Sequence, residues 1–501
     1  MKRIFFTAVL SVLCLAVRAR DFSILDFGAR MSDTHSSTQA IQQAIDRCSA
    51  SGGGRVVVPA GTFRIGTLIL RDDVELHLCR GAVLLGSDRI EDYPFLNVRF
   101  RTRFTDKSYY TGRREVLRYR ALLFAEGVRN VSLTGYGQVD GNGGAEAFRL
   151  GNDAGSQASL ERPVLILMVD CREVRLRQIE LLNSAYWMQC YLACDGVTLS
   201  GVTVRNHCNF NNDGIDIDSK NVLVENCEFD TDDDAICFKS HDPDRWCENV
   251  VIRNCMVRTN CNGIKLGTGS LGGFRNIRIE NICFRAASAD RIRGWQRIVD
   301  HVEIPNTMLA GLAVENVDGG VSENIEAVNL HMENVQTPIF IKLGNRMSRL
   351  LSDEPAALRN IRIANVRATS YSRMCSSITG WPGRAVENVT LTNIRISTTG
   401  GTLASEFPVT VPECEKDYPE NRMFGFTLPA SGLWVRHVTG LVVENAGFGV
   451  RNPDARPDVV LQDVSGAELS RFRNEAGSDA VTLRTDSCRW ISCDRSLVLL
   501  H

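Results

Sequence analysis

After residue 17 the chain has no apolar run that approaches the ~20 residues needed to cross a bilayer, so no membrane span is expected. It also has no excess of positive charge. Its 57 Lys and Arg face 59 Asp and Glu, for a formal net charge of −2, which gives no support for a nucleic-acid partner. The 17 cysteines include no C-x₂-C pair, which argues against structural zinc. They show no short disulfide framework either. Cys208, Cys227, Cys237, Cys255, Cys261 and Cys283 fall in strand-like segments and read as small buried apolar residues. The dense leucine pattern of leucine-rich repeats is absent, and nothing calls for a cofactor or a metal ion.

At the start, Lys2 and Arg3 precede a mostly apolar stretch, 4–17, and Ala19 is a small residue ahead of a cleavage point. This is the pattern of an export signal over residues 1–19, and it implies a secreted or periplasmic protein. Losing the leader's three cations would take the formal charge to −5 and leave 16 cysteines.

From residue 128 one phrase recurs: an Asn-like turn residue, an alternating strand, then another Asn or Gly. Copies include NVLVENCEF at 221, NVVIRNCMV at 249, NIRIENICF at 276, NIEAVNLHM at 324, NIRIANVRA at 360 and NVTLTNIRI at 388. Consecutive starts are 28, 27, 48, 36 and 28 residues apart, and the 48-residue step holds an insertion at about 286–310. Short strands with period-two alternation, repeated at this spacing, predict stacked coils that bury their apolar faces against one another. The expected fold is therefore all-β, a right-handed parallel β-helix forming a single domain over 20–501. An N-terminal helix, marked by Ala40, Ile41, Ala44, Ile45 and Cys48, would cap the solenoid. Two loops, 99–120 with its Arg and Tyr and 286–310 with Arg291, Arg293, Trp295 and Arg297, are expected to wall a groove.

Aligning coils by their apolar positions puts Ile215, Ile236 and Ile264 in one column and Ile217, Phe238 and Leu266 in the next, since a one-residue slip would turn that set outward. The same register places Asp213, Asp234 and Asn262 together, with Asn212, Asp233 and Cys261 alongside and Asp216, Cys237 and Lys265 facing outward. Strands ~4.8 Å apart bring Asp213 and Asp234 within reach of each other, and Asp233 is expected to face elsewhere. Clustered carboxylates suit glycoside hydrolysis, which needs one proton donor and one base or nucleophile; like charges at close range raise one pKa and help keep an acid protonated. Calcium binding and simple solvated turns are the competing uses.

At these residues the sequence resembles glycoside hydrolase family 28, the polygalacturonase-like enzymes. Asn211-Asn212-Asp213-Gly214 looks like that family's Asn-Thr-Asp-Gly segment, and Asp233-Asp234 with the following Ala235-Ile236 looks like its paired-Asp segment. The stretches at 136–143 and 183–187 are similar to further family segments. The resemblance covers roughly 21–350. It implies an inverting hydrolase of pectin-type carbohydrate (galacturonide or rhamnogalacturonan-like), with Asp233 as general acid and Asp213 and Asp234 holding the attacking water. Two departures stand out. Asn262 occupies the place of the family's His, and Ala313 and Glu315 occupy the place of its uronate-binding Arg-x-Lys. Lys265, Lys239, Lys342 and Arg346 are then the candidates for a relocated cation, Asn211 and Asn262 for substrate hydrogen bonds, and Trp187 for a sugar platform. Loops at both ends of a groove would suit exo action, and the protein is expected to be a monomer. The alternatives are a calcium-dependent polysaccharide lyase, using Asp213, Asp216, Asp232 and Asp234 with Lys265 as base, and a non-catalytic carbohydrate-binding β-helix.

Overall fold

A computed structural model describes residues 20–98, 118–149, 162–290, 308–346, 356–408, 410–475, 477 and 480–500. The expected leader at 1–19 lies outside the described residues, as do 99–117 and 291–307 of the two expected loops. The chain is a parallel β-helix. Among the described residues, thirty-three strands join one continuous sheet, with parallel pairings from Asp21–Ser23 at the start to Leu497–Leu500 at the end.

One coil shows how the sequence winds. Asn262–Ser270 forms the first leg. Phe274–Ala286 then supplies the second and third legs, bending at Asn281 with φ 57°. The next coil repeats this with Met308–Asn316 and Val321–Met332, bending at Asn329, and the insertion between the coils leaves the register intact: Ile277 pairs with Ile325. Stacked apolar residues fill the interior. Val250, Ile277, Ile325, Ile361, Val389 and Leu441 occupy one column and are all buried, each contributing ~1.5–3 kcal/mol by leaving water.

The corners explain the recurring asparagines. Asn221, Asn249, Asn276, Asn324, Asn360 and Asn388 all take left-handed φ of 54–58°, a region that Asn enters at lower cost than most side chains. From Asn249 onward, each amide also donates to the side-chain oxygen of its predecessor at 3.1–3.2 Å, forming a ladder along the corner. A second ladder runs through Asn254, Asn281, Asn329, Asn365, Asn393 and Asn445 at 2.6–3.0 Å.

The first end of the stack carries α1, Thr38–Ala50, whose buried Ile41, Ala44, Ile45 and Cys48 form the expected apolar face, with Ala40 partly buried at its edge. Gly53 ends the turn after it at φ 94°, and a Cβ there would stand 2.6 Å from the Asp73 carbonyl, so only glycine fits.

Asn276→Ala should lower the melting temperature more than Asn276→Gly. Both lose two ladder bonds of about 0.5–1.5 kcal/mol each, but only alanine also pays the left-handed strain. Equal melting temperatures, read by circular dichroism, would show that the corner conformation carries no strain.

Candidate functional site

The first leg of each coil turns alternate side chains outward, and the register reads those columns directly. One column runs Phe124, Leu167, Cys190, Asp216, Cys237, Lys265, Ala313, Phe340. It is apolar at both ends and, across three central coils, carries the charged Asp216 and Lys265 on either side of Cys237. Leu96, Val98, Tyr119 and Tyr186 pack over its N-terminal part. Val411, Met423, Phe424 and Leu428 pack over its C-terminal part. The charged window between these covers is about three coils wide, or ~14 Å at 4.8 Å per coil.

The acidic groups sit at the corner that leads into this window. Asp213 and Asp234 lie on successive coils, tied by the Gly214 N–H donating to the Asp234 carbonyl at 2.9 Å. One carboxylate oxygen from each, together with the Cys237 sulfur, falls within 4.8 Å of the others. Asp233 does not face elsewhere, as strand alternation suggested. Its carboxylate forms a similar group with Asp234 and the Cys261 sulfur, and it accepts the Asp234 backbone N–H at 2.9 Å. The chain is turning here rather than extended, so the period of two does not hold. The Thr231 and Thr259 hydroxyls both donate to the Asp233 carbonyl at 2.6 Å and pin the turn. Asn212, fully buried, donates to the carbonyls of Ser184 and Tyr186 and so fixes the segment that carries Asp213. Gly214 is required by close approach, since a Cβ would lie 2.4 Å from the Ala235 carbonyl oxygen.

Burial and neighbouring charges separate these acids. Asp213 is raised well above the usual carboxylate range, first by burial and then by the negative Asp216, Asp233 and Asp234. Asp234 goes the other way. Burial alone would raise it, but Lys265, Lys239 and the Asn262 hydrogen bond together hold it below the ordinary value. Asn262 donates to it through Nδ2 at 2.7 Å and through its backbone N–H at 3.2 Å.

The lysines were expected to supply a relocated cation for a substrate carboxylate. Lys265 is on the outer face but only 2% exposed; its Nζ donates to Asp234 at 3.0 Å and to the Tyr418 hydroxyl at 3.2 Å, with Glu315 at 3.8 Å. Lys239 donates to the Gly267 carbonyl at 3.3 Å and faces Asp216 at 3.8 Å. Both ammonium groups are held above the ordinary lysine value. Burial would lower them, and the nearby carboxylates (Asp234 and Glu315 for Lys265, Asp216 for Lys239) prevail. Lys342 is corrected more sharply. It is buried, bonded to the Gly380 and Glu413 carbonyls, and pushed down to about 8 by burial and by Arg436. Arg346 forms a two-bond pair with Asp318 at 2.6 Å. Asn211 accepts from Arg162 at 3.2 Å, and Trp187, partly buried, stacks on Tyr186 with ring centroids 4.7 Å apart.

A cation bound among Asp213, Asp233 and Asp234 would share its surroundings with the Lys265 ammonium, which already neutralises Asp234. One residue of this site escaped the sequence reading. Tyr418 arrives from a distant segment, half-exposed, between Lys265 and Arg346. Glu315 and Asp216 are fully buried, and none of their four carboxylate oxygens has a hydrogen-bond partner. Both acids had already been named from the sequence; nothing local pointed to Tyr418.

Residues 96–414 match the family model of the glycosyl hydrolases family 28. A "Probable polygalacturonase" of Vitis vinifera is 29% identical over 286 residues, covering 54% of this chain and 55% of its own length. The exo-poly-alpha-D-galacturonosidase of Dickeya chrysanthemi is 27% identical over 328 residues, covering 54% and 52%. The chain thus spans about half the length of these curated relatives. Among solved structures, a hyperthermoactive exopolygalacturonase from Thermotoga maritima superposes with a TM-score of 0.59 at 22% identity, over 76% of this chain and 87% of that one. The family 28 exopolygalacturonase of Yersinia enterocolitica gives 0.57 at 20%, over 94% and 78%. At these identities the likeness is one of fold.

Burial, ahead of the nearby charges, raises Asp216 and Glu315 to about 7. Unfolded, both would release their protons near pH 4. The folded state therefore binds more protons between about pH 4 and 7, and stability falls as pH rises through that window. Glu315→Gln should remove its share: between about pH 5 and 8 the wild-type melting temperature should fall relative to the variant's. A constant gap across that range would mean Glu315 ionises normally.

Proposed function

The chain belongs to the glycosyl hydrolases family 28, and we propose that it hydrolyses an α-linked glycosidic bond of a pectin-type polysaccharide or oligosaccharide, with inversion and from a chain end. The observation that carries this reading is the meeting of the Asp213 and Asp234 carboxylates within 4.8 Å, with Asp233 beside Asp234.

In this mechanism Asp233 gives its proton to the leaving glycosidic oxygen as the bond to the anomeric carbon breaks. A water held by Asp213 and Asp234 attacks that carbon from the opposite face and passes a proton to Asp234. Asp234 suits the base role because Lys265, Lys239 and Asn262 keep it ionised. Asn262 cannot titrate; it acts by fixing the Asp234 carboxylate. Inverting enzymes hold acid and base ~6.5–9.5 Å apart to admit the water; the nearest Asp233 and Asp234 oxygens stand within 4.8 Å here, so the anomer formed first is what decides between inversion and retention. Exo action is supported by the covers at both ends of the charged column, which leave a short window rather than an open groove. The reading also takes residues 1–19 as an export signal, which suits a substrate too large to enter a cell.

Asp233→Asn should lose roughly 10²–10⁴-fold in kcat on pectic oligosaccharides while keeping the wild-type circular dichroism spectrum. The first product seen by proton NMR should be the β anomer. Near-normal turnover in the variant would remove Asp233 from the acid role, and a first-formed α anomer would replace inversion with retention.

A further inference from the structure

Building on the hydrolase reading above, we infer that the subsite for the reacting sugar takes a neutral pyranose, a hexose or deoxyhexose, rather than a uronate. The inference comes from following each cation near the acidic cluster to its partners. Lys265 is saturated by Asp234, Tyr418 and Glu315. Lys239 lies between the Gly267 carbonyl and Asp216. Arg346 is paired with Asp318 through both carboxylate oxygens, and Lys342 is turned to backbone carbonyls under the 401–430 segment. Each of these four cations, two inside the window and two beside it, already faces an acid or a carbonyl.

The acids, by contrast, outnumber the cations. Asp213, Asp216, Asp233, Asp234 and Glu315 share the window with Lys239 and Lys265. Glu315 and Asp216 keep all four oxygens without hydrogen bonds, and both hold protons to about 7, first because burial strips water from the charged form and then because Asp234 lies near, against the opposing pull of the lysines. A uronate carboxylate entering this window would be desolvated beside those acids with no cation among the described residues released to meet it, and an unpaired buried charge is costly. Sugar hydroxyls are donors, and carboxylates are what they meet. Tyr418 adds a ring that is 49% exposed above the Lys265 ammonium, an apolar face suited to an uncharged sugar.

Charge can be tested at constant linkage. The wild-type chain would be assayed on an α-linked oligogalacturonide before and after its carboxyls are reduced to alcohols. The p-nitrophenyl α-D-galactopyranoside, α-L-rhamnopyranoside and α-D-galacturonide would be assayed in parallel with rhamnogalacturonan oligosaccharides. The best neutral substrate should exceed the uronides in kcat/KM by roughly a hundredfold or more, and Glu315→Gln should narrow that gap by raising the uronide rate. Equal rates, or a preference for the uronides, would overturn the neutral subsite while leaving the hydrolase intact. Cleavage of nothing in the panel would overturn the hydrolase reading itself.

Discussion

Everything in this molecule hangs on one backbone requirement, a left-handed residue at the same corner of successive coils. Aligned by register, Gly53, Asp73, Asn130, Glu173, Gly196 and Asn221 hold that place, followed by the asparagine ladder and then by Gly440, Gly466 and Trp490. Glycine meets the requirement without strain. Asparagine meets it and adds a bond to the coil before it, which is why it takes over in the middle of the stack. A fixed corner conformation fixes the register, and the register decides which side chains share a column.

The site follows from that register plus one further choice. On the outward face of the first leg, an apolar column is interrupted across three coils by Asp216 and Lys265, and packed segments cover the face on either side of the interruption. Inside the interruption, lysines act as internal counter-ions: Lys265 holds Asp234 ionised, while Asp213, with less help, keeps its proton more tightly. Similar carboxyls a few ångströms apart are thereby made chemically different.

Much of this was legible in the chain itself. The columns of Ile215, Ile236 and Ile264 and of Ile217, Phe238 and Leu266 pair as their alternation indicated. The helix buries the face its spacing marked. The insertion after 286 leaves the stack undisturbed, as the 48-residue step suggested. What alternation could not reach was the corner, where the backbone turns and Asp233 swings toward Asp234. It could not reveal burial from outside either. Lys265 and Lys342 occupy outward positions, so a strand pattern alone exposes them, and it is chain from beyond residue 400 that covers them. Tyr418 lies 153 residues from Lys265, a separation over which no local pattern carries information.

The coil has three corners, and two of them are locked by asparagine ladders. The third, which leads into the charged leg, has no such spine among the described residues. It is there that the acids sit, and there too that the chain makes its excursions after Ala286 and Gly400. Structural rigidity and chemical novelty are thus assigned to separate edges of one prism. An excursion can be lengthened, shortened or exchanged at the unlocked edge while the rungs above and below stay where they are, so a lineage built on this frame can explore new substrates without renegotiating how it folds.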